Sequence, residues 1–223
     1  MTANRSGLFR GMARSLREGM HSQPDCLIFD FDGVLADTEP LYWRAWAELL
    51  LPHGIKLSWE EYCRIGRGVK DEEMLPRLSQ VVSNPALPSS LRQQLASRKE
   101  TIQSWSSQES LICEPTVKLL QSLSAFRLGL VTSSNRSEVE PVLRAAGVGE
   151  CFQAMVFGDE MSQHKPHPAP YLRIREKLGV PTGLVFEDSD AGMESAAAAG
   201  YKAIRVDSPA NLPGIVQKAL DLS

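Results

Sequence analysis

CLIFDFDGVLADTE, running from Cys26 to Glu39, sets the architecture of this chain. Cys26 to Phe31 is almost continuously apolar and closes on the turn signal Asp32-Gly33. A short apolar run bounded in this way reads as a strand buried on both faces, the type found in parallel sheets. Ligands of such sheets collect beyond the carboxyl ends of the strands. Asp30 and Asp32 are two apart, so an extended backbone points both to the same side. Carboxylates that close repel, and burial strengthens the repulsion. A proton, a basic group or a cation has to compensate.

Four more apolar runs follow: Leu128 to Thr132, Ala154 to Phe157, Leu184 to Glu187 and Ala203 to Val206. Amphipathic segments separate them. Ser137 to Ala146, Pro168 to Leu178 and Asp190 to Ala199 each stop at a glycine (Gly147, Gly179 and Gly200), the expected left-handed end of a helix. Strands and helices alternating this way predict an α/β fold with a doubly wound parallel sheet.

The second strand follows the first too late in the sequence for a simple crossover. Residues 38–111 therefore read as an inserted helical domain, with the core formed by 25–37 and 112–223. Within the insert, Leu41 to Leu51 is amphipathic and is closed by Pro52-His53-Gly54. Ser58 and Glu61 spell a capping box. Asp71 to Val82 and Ser89 to Gln108 supply two further helices. Two neighbouring connections, at Ala36 to Glu39 and Ile112 to Pro115, form a natural hinge.

At 223 residues the chain has room for a core and a modest insert. A net charge of -3 gives no footing for a nucleic-acid surface, which asks for a clearly basic domain. Cys26, Cys63, Cys113 and Cys151 are scattered, with no CxxC pair, which fits a reducing, cytoplasmic setting. No apolar run approaches the roughly 20 residues needed to cross a bilayer, so no membrane role is expected. Residues 1–24 carry Arg5, Arg10, Arg14 and Arg17 among Ser, Gly and Met, and read as an extension outside the core.

Chemistry-bearing residues fall at four predicted strand ends: Asp30 and Asp32 after the first, Thr132-Ser133-Ser134-Asn135 after the second, Lys165 after the third, Glu187-Asp188 after the fourth. Their order is more telling than any one alone. DFDGVLADTE, LVTSSN, KPHPAPY and FEDSDAG together resemble the motifs of the haloacid dehalogenase superfamily of phosphohydrolases. The helical insert after the first motif is similar to the subgroup with an α-helical cap, which includes sugar-phosphate phosphatases and beta-phosphoglucomutase.

That resemblance implies a role for each position. Asp30 is expected to be the nucleophile, forming an aspartyl-phosphate, since covalent catalysis splits one hard displacement into two easier steps. Asp32 is expected to protonate the leaving alkoxide and then to take a proton from water. Mg2+ is the expected cofactor, held by Asp30, the Asp32 carbonyl and Asp188, with Glu187 acting through a metal-bound water. Thr132, Ser133 and Gly33 are expected against the phosphoryl group, and Lys165 between phosphate and Asp30. His164 and His167 read as exposed loop residues rather than ligands.

An acid at position 32 implies phosphate esters rather than carbon–halogen bonds, because the family's dehalogenases lack it. The expected substrate is a small-molecule phosphate ester, a sugar phosphate in particular. The runner-up is a sugar phosphomutase; Tyr42 stands where the mutase has a histidine, which weakens it. A third possibility is a phosphate-binding module without catalysis. Substrate choice is expected in the cap, at Tyr42, Trp46, Arg67 and Lys70, the last two in a glycine-flanked basic loop suited to anions.

Overall fold

The computed structural model describes residues 24–66, 69, 71–81, 91, 94, 95, 98, 101, 102, 104 and 110–220. Arg67, Lys70 and residues 1–23 lie outside them, and so do the expectations placed there.

Five strands form one parallel sheet: β1 (Cys26–Phe29), β2 (Arg127–Val131), β3 (Ala154–Val156), β4 (Gly183–Glu187) and β5 (Lys202–Arg205), in the order β3-β2-β1-β4-β5. The chain winds outward from β1 to one side through β2 and β3, then crosses to the other side for β4 and β5. The switch in winding direction lies between β1 and β4, where doubly wound sheets open a crevice at their carboxyl ends. The ladder continues a step beyond the strands: the Asp30 amide donates to the Phe186 carbonyl at 3.0 Å and the Thr132 amide to the Val156 carbonyl at 3.0 Å. Thr132 is thus held as firmly as a strand residue, although the strand ends at Val131.

Period-two alternation gives each sheet face its own core. Leu27, Phe29, Leu128, Leu130 and Phe186 point to one side, where they meet helices Glu114–Ser122, Arg136–Ala145 and Leu212–Ala219. Cys26, Ile28, Val131 and Val185 point to the other, against helices Ala169–Leu178 and Asp190–Ala198. Phe29 stacks on Phe186 with ring centroids 5.1 Å apart, tying β1 to β4 beneath the crevice. Burying one such aromatic side chain contributes about 2–3 kcal/mol.

Between β1 and β2 the chain is helical: Glu39–Leu50, Trp59–Ile65 and Asp71–Val81, followed by helical residues at 91, 94, 95, 98, 101, 102 and 104. The capping box forms as the sequence implies, with the Glu61 amide donating to Ser58 Oγ at 3.2 Å and the Ser58 amide to Glu61 Oε2 at 2.9 Å. Trp46, Leu50, Tyr62, Met74, Leu78 and Leu91 make a separate apolar cluster for this segment. In chain order the helices are α1 (Glu39–Leu50), α2 (Trp59–Ile65), α3 (Asp71–Val81), α4 (Glu114–Ser122), α5 (Arg136–Ala145), α6 (Ala169–Leu178), α7 (Asp190–Ala198) and α8 (Leu212–Ala219).

Candidate active site

A cavity of about 660 Å³ opens between the sheet's carboxyl edge and the helical segment. Its floor carries Asp30, Asp32, Ser133, Ser134, Lys165 and Asp188; its opposite wall carries Glu39, Tyr42, Trp46, Tyr62 and Arg98.

Lys165 is the hub of the floor. Its ammonium donates to Asp30 Oδ1 at 2.8 Å, to the Val131 carbonyl at 3.0 Å and to Glu187 Oε1 at 2.5 Å, so all three N–H groups have acceptors. Burial alone would lower the Lys165 pKa, but the Asp30 charge, with Tyr171 and Glu187, outweighs it and pushes the group well above its usual value. It is a cation at any working pH. The Asp30 carboxyl is pushed well up, by burial first and then by Glu187, with Lys165 opposing.

Glu187 is wholly buried. Its Oε1 accepts from Lys165 and from the Tyr171 hydroxyl at 2.8 Å, while Oε2 accepts from the Asp188 amide at 3.1 Å and the Ser189 hydroxyl at 3.1 Å. Asp188 turns back into the crevice, where burial, then Glu187 and Asp32, push its pKa up to about 6. Carboxylate oxygens of Asp30, Glu187 and Asp188 lie within 4.8 Å of one another. With Asp32 nearby, four acids face one ammonium, an imbalance a divalent cation would relieve. The donors are all hard oxygens, the set that suits Mg2+ or Ca2+ rather than zinc. The residues fit such an ion.

Gly33 makes this approach possible. Its φ of 73° is left-handed, and a Cβ there would stand 2.1 Å from Asp188 Oδ2, so the turn after Asp32 can close on Asp188 only without a side chain.

Asp32 takes three hydroxyls: Thr38 Oγ1 at 2.7 Å and Tyr42 at 3.2 Å on Oδ1, and Ser134 Oγ at 2.6 Å on Oδ2. Thr132 lies just behind the cavity wall, 3% exposed, its Oγ1 accepting from the Ser134 amide at 3.0 Å. The helix that follows is capped by Asn135, not Thr132. Trp46 is nearly buried beneath Arg98, whose guanidinium carbon is 4.7 Å from its ring centroid. His164 and His167 are exposed, though His164 reaches the cavity rim.

The geometry brings together Asp30, Asp32, Gly33, Ser133, Lys165, Glu187 and Asp188, with Tyr42 and Trp46 across the cavity. Sequence reasoning overlooked Thr38, Tyr171, Glu39 and Arg98, and gave Ser134 no role of its own. Ser134 sits inside a quoted motif and could have been found there; Tyr171 and Arg98 look in sequence like ordinary helix residues.

Buried carboxylates and a lysine thus meet at the switch point of a doubly wound sheet, beneath a helical insert, where open α/β sheets bind their ligands. A profile described as haloacid dehalogenase-like hydrolase matches residues 27–206, and the chain belongs to that family. A phosphorylated carbohydrates phosphatase of Thermotoga maritima is 32% identical over 182 residues, covering 81% of this chain and 83% of that protein. Fructose-1-phosphate phosphatase YqaB of Escherichia coli is 31% identical over 185 residues, covering 81% and 95%. Among solved structures, CbbY from Rhodobacter sphaeroides in complex with phosphate superposes with a TM-score of 0.67 at 25% identity, covering 82% of this chain and 86% of that one. A Thermotoga maritima structure provisionally named a beta-phosphoglucomutase gives 0.70 at 27%, covering 88% and 100%.

Proposed function

We propose that this enzyme is a Mg2+-dependent phosphatase of small phosphorylated sugars, working through an aspartyl-phosphate on Asp30. The contact of Lys165 Nζ with Asp30 Oδ1 at 2.8 Å carries the reading, because it sets a buried cation beside a carboxylate that lines the cavity floor. Residues 38–111 act as its cap, and the sugar-phosphate names of the relatives support the substrate class.

An Asp30 oxygen attacks phosphorus as the bond to the leaving oxygen breaks, and Asp32 gives that oxygen its proton. Water then attacks the aspartyl-phosphate while Asp32 takes the water's proton, releasing phosphate and restoring Asp30. Hydroxyls accept as well as donate, so Thr38, Tyr42 and Ser134 can serve both protonation states of Asp32. Lys165 offsets charge on Asp30 and on the phosphoryl oxygens, with Ser133 and the open turn at Gly33 framing the group and Thr132 supporting them from behind through the Ser134 amide. Asp30, the Asp32 carbonyl and Asp188 would hold Mg2+, with Glu187 behind them because both of its oxygens already take protein donors. Bound there, the ion would supply charge neutralisation for the transferring phosphoryl group.

A phosphate-release screen with MgCl2 across pentose, hexose and hexitol phosphates tests the proposal. Turnover is expected on sugar phosphates and is abolished by Asp30→Asn. No release by pure, folded protein across the panel sinks the reading in favour of a binding module. The likeness to the provisionally named mutase supports a second reading, sugar phosphomutase, and glucose 6-phosphate formed from a glucose 1-phosphate in the same screen would establish it.

A further inference from the structure

Tyr171 stands on α6, six residues after Lys165, fully buried, with its hydroxyl 2.8 Å from Glu187 Oε1. Lys165 Nζ reaches that same oxygen and lies 5.5 Å from the centroid of the tyrosine ring. One ammonium is therefore shared by two buried carboxylates, Asp30 and Glu187, and a single phenol supports one of them. We propose that Tyr171 is a positioning residue for the reaction: by supplying a donor to Glu187 it leaves the Lys165 ammonium directed at Asp30.

The reasoning is one of competition. Glu187 has no access to solvent, so an oxygen that loses a donor cannot replace it with water. With the phenol gone, Oε1 keeps Lys165 alone and holds it more strongly, at the expense of the longer contact to Asp30. Burial, with Glu187 and Asp30 adding to it and Lys165 opposing, pushes the Tyr171 phenol well above its usual range, so it remains a donor throughout. The loop between the two residues is pinned independently by Ser195 Oγ, which donates to the His167 carbonyl at 2.6 Å, so what Tyr171 adds is the hydroxyl.

The proposal rests on the phosphatase reading, and its test separates the two. Tyr171→Phe keeps the ring packed on Tyr201, whose centroid is 6.3 Å away; Tyr201→Phe is the matched control, since its hydroxyl bonds neither Glu187 nor Lys165. Loss of a partner behind a reacting group typically lowers activity 10- to 100-fold. Tyr171→Phe is expected to lower kcat about tenfold with KM within about twofold, while Tyr201→Phe leaves kcat unchanged. Equal losses in the two variants, or a wild-type kcat in Tyr171→Phe, overturn the proposal. A crystal structure of Tyr171→Phe supplies a readout free of catalysis: Lys165 Nζ should withdraw beyond about 3.5 Å from Asp30, and an unchanged contact overturns the proposal even if no phosphate ester is turned over.

Discussion

Gly192 lies so close to Glu187 that a Cβ built on it would meet Oε1 at 1.9 Å and Oε2 at 2.1 Å. The first turn of α7 and the end of β4 are thereby fitted together around a carboxylate. In an exposed helix interior, replacing glycine with alanine gains about 1 kcal/mol. Here the sign reverses, because the obstructing atoms belong to a carboxylate held by five donors rather than to a free chain end. Gly192→Ala should lose about 2 kcal/mol, a typical overpacking penalty, and lower the melting temperature by about 4–8 °C. Thermal denaturation checks it; a rise in melting temperature refutes the packing argument.

In the proposed reaction Asp32 has two tasks, which different substrates separate. A p-nitrophenolate leaving group needs little help from an acid, but hydrolysis of the aspartyl-phosphate needs the base whichever alcohol has left. Asp32→Asn should therefore release p-nitrophenol from its phosphate in a stoichiometric burst, followed by turnover about 100- to 10,000-fold slower. Stopped-flow absorbance reads the burst. A linear trace at the wild-type rate would mean that some other group activates the water.

The three hydroxyls on Asp32 differ in rank. Thr38 and Ser134 approach to 2.7 and 2.6 Å, Tyr42 only to 3.2 Å at an oxygen already taken by Thr38. Hydroxyl bonds to oxygen are normally about 2.7–2.8 Å, so the tyrosine contact is the weak one. Ser134→Ala and Thr38→Val should each lower kcat about tenfold, the effect of roughly 1.4 kcal/mol, and Tyr42→Phe by less than about threefold. Steady-state kinetics on a sugar phosphate order the three; a larger loss from Tyr42→Phe would reverse the ranking drawn from the distances.

Much of this centre is legible in the sequence, for a physical reason. Apolar runs such as Leu27 to Phe29 must be buried whatever surrounds them, and the residues that follow a buried strand have one place to go. Strand limits slipped by a residue, as at Val131 and Thr132, because the ladder fades gradually rather than stopping. The helices at Glu114–Ser122 and Leu212–Ala219 went unremarked since neither bears a motif. What stayed hidden were partners distant in sequence. Ser134 meets Asp32 from 102 residues away, and Tyr171 meets Glu187 from a helix face where a tyrosine passes for core. Arg98 stacks on Trp46 across the cavity wall, a pairing that no periodicity encodes.

Asp188 makes the electrostatic imbalance measurable. Its pKa, pushed up to about 6, exceeds that of the unfolded chain, so the folded state holds the proton more tightly. Stability from this residue is present at acid pH and falls as the pH rises from the ordinary aspartate value through about 6. Partial exposure to solvent screening reduces the penalty to about 1 kcal/mol. A cation bound by Asp30 and Asp188 removes it. MgCl2 should then raise the melting temperature at pH 7.5 and have little effect at pH 4.5. Asp188→Asn should raise the metal-free melting temperature at pH 7.5 by about 2–4 °C, erase the Mg2+ increment and abolish turnover, trading function for stability. Scanning calorimetry with and without MgCl2 at both pH values decides it: an increment that survives Asp188→Asn would move the cation to other ligands.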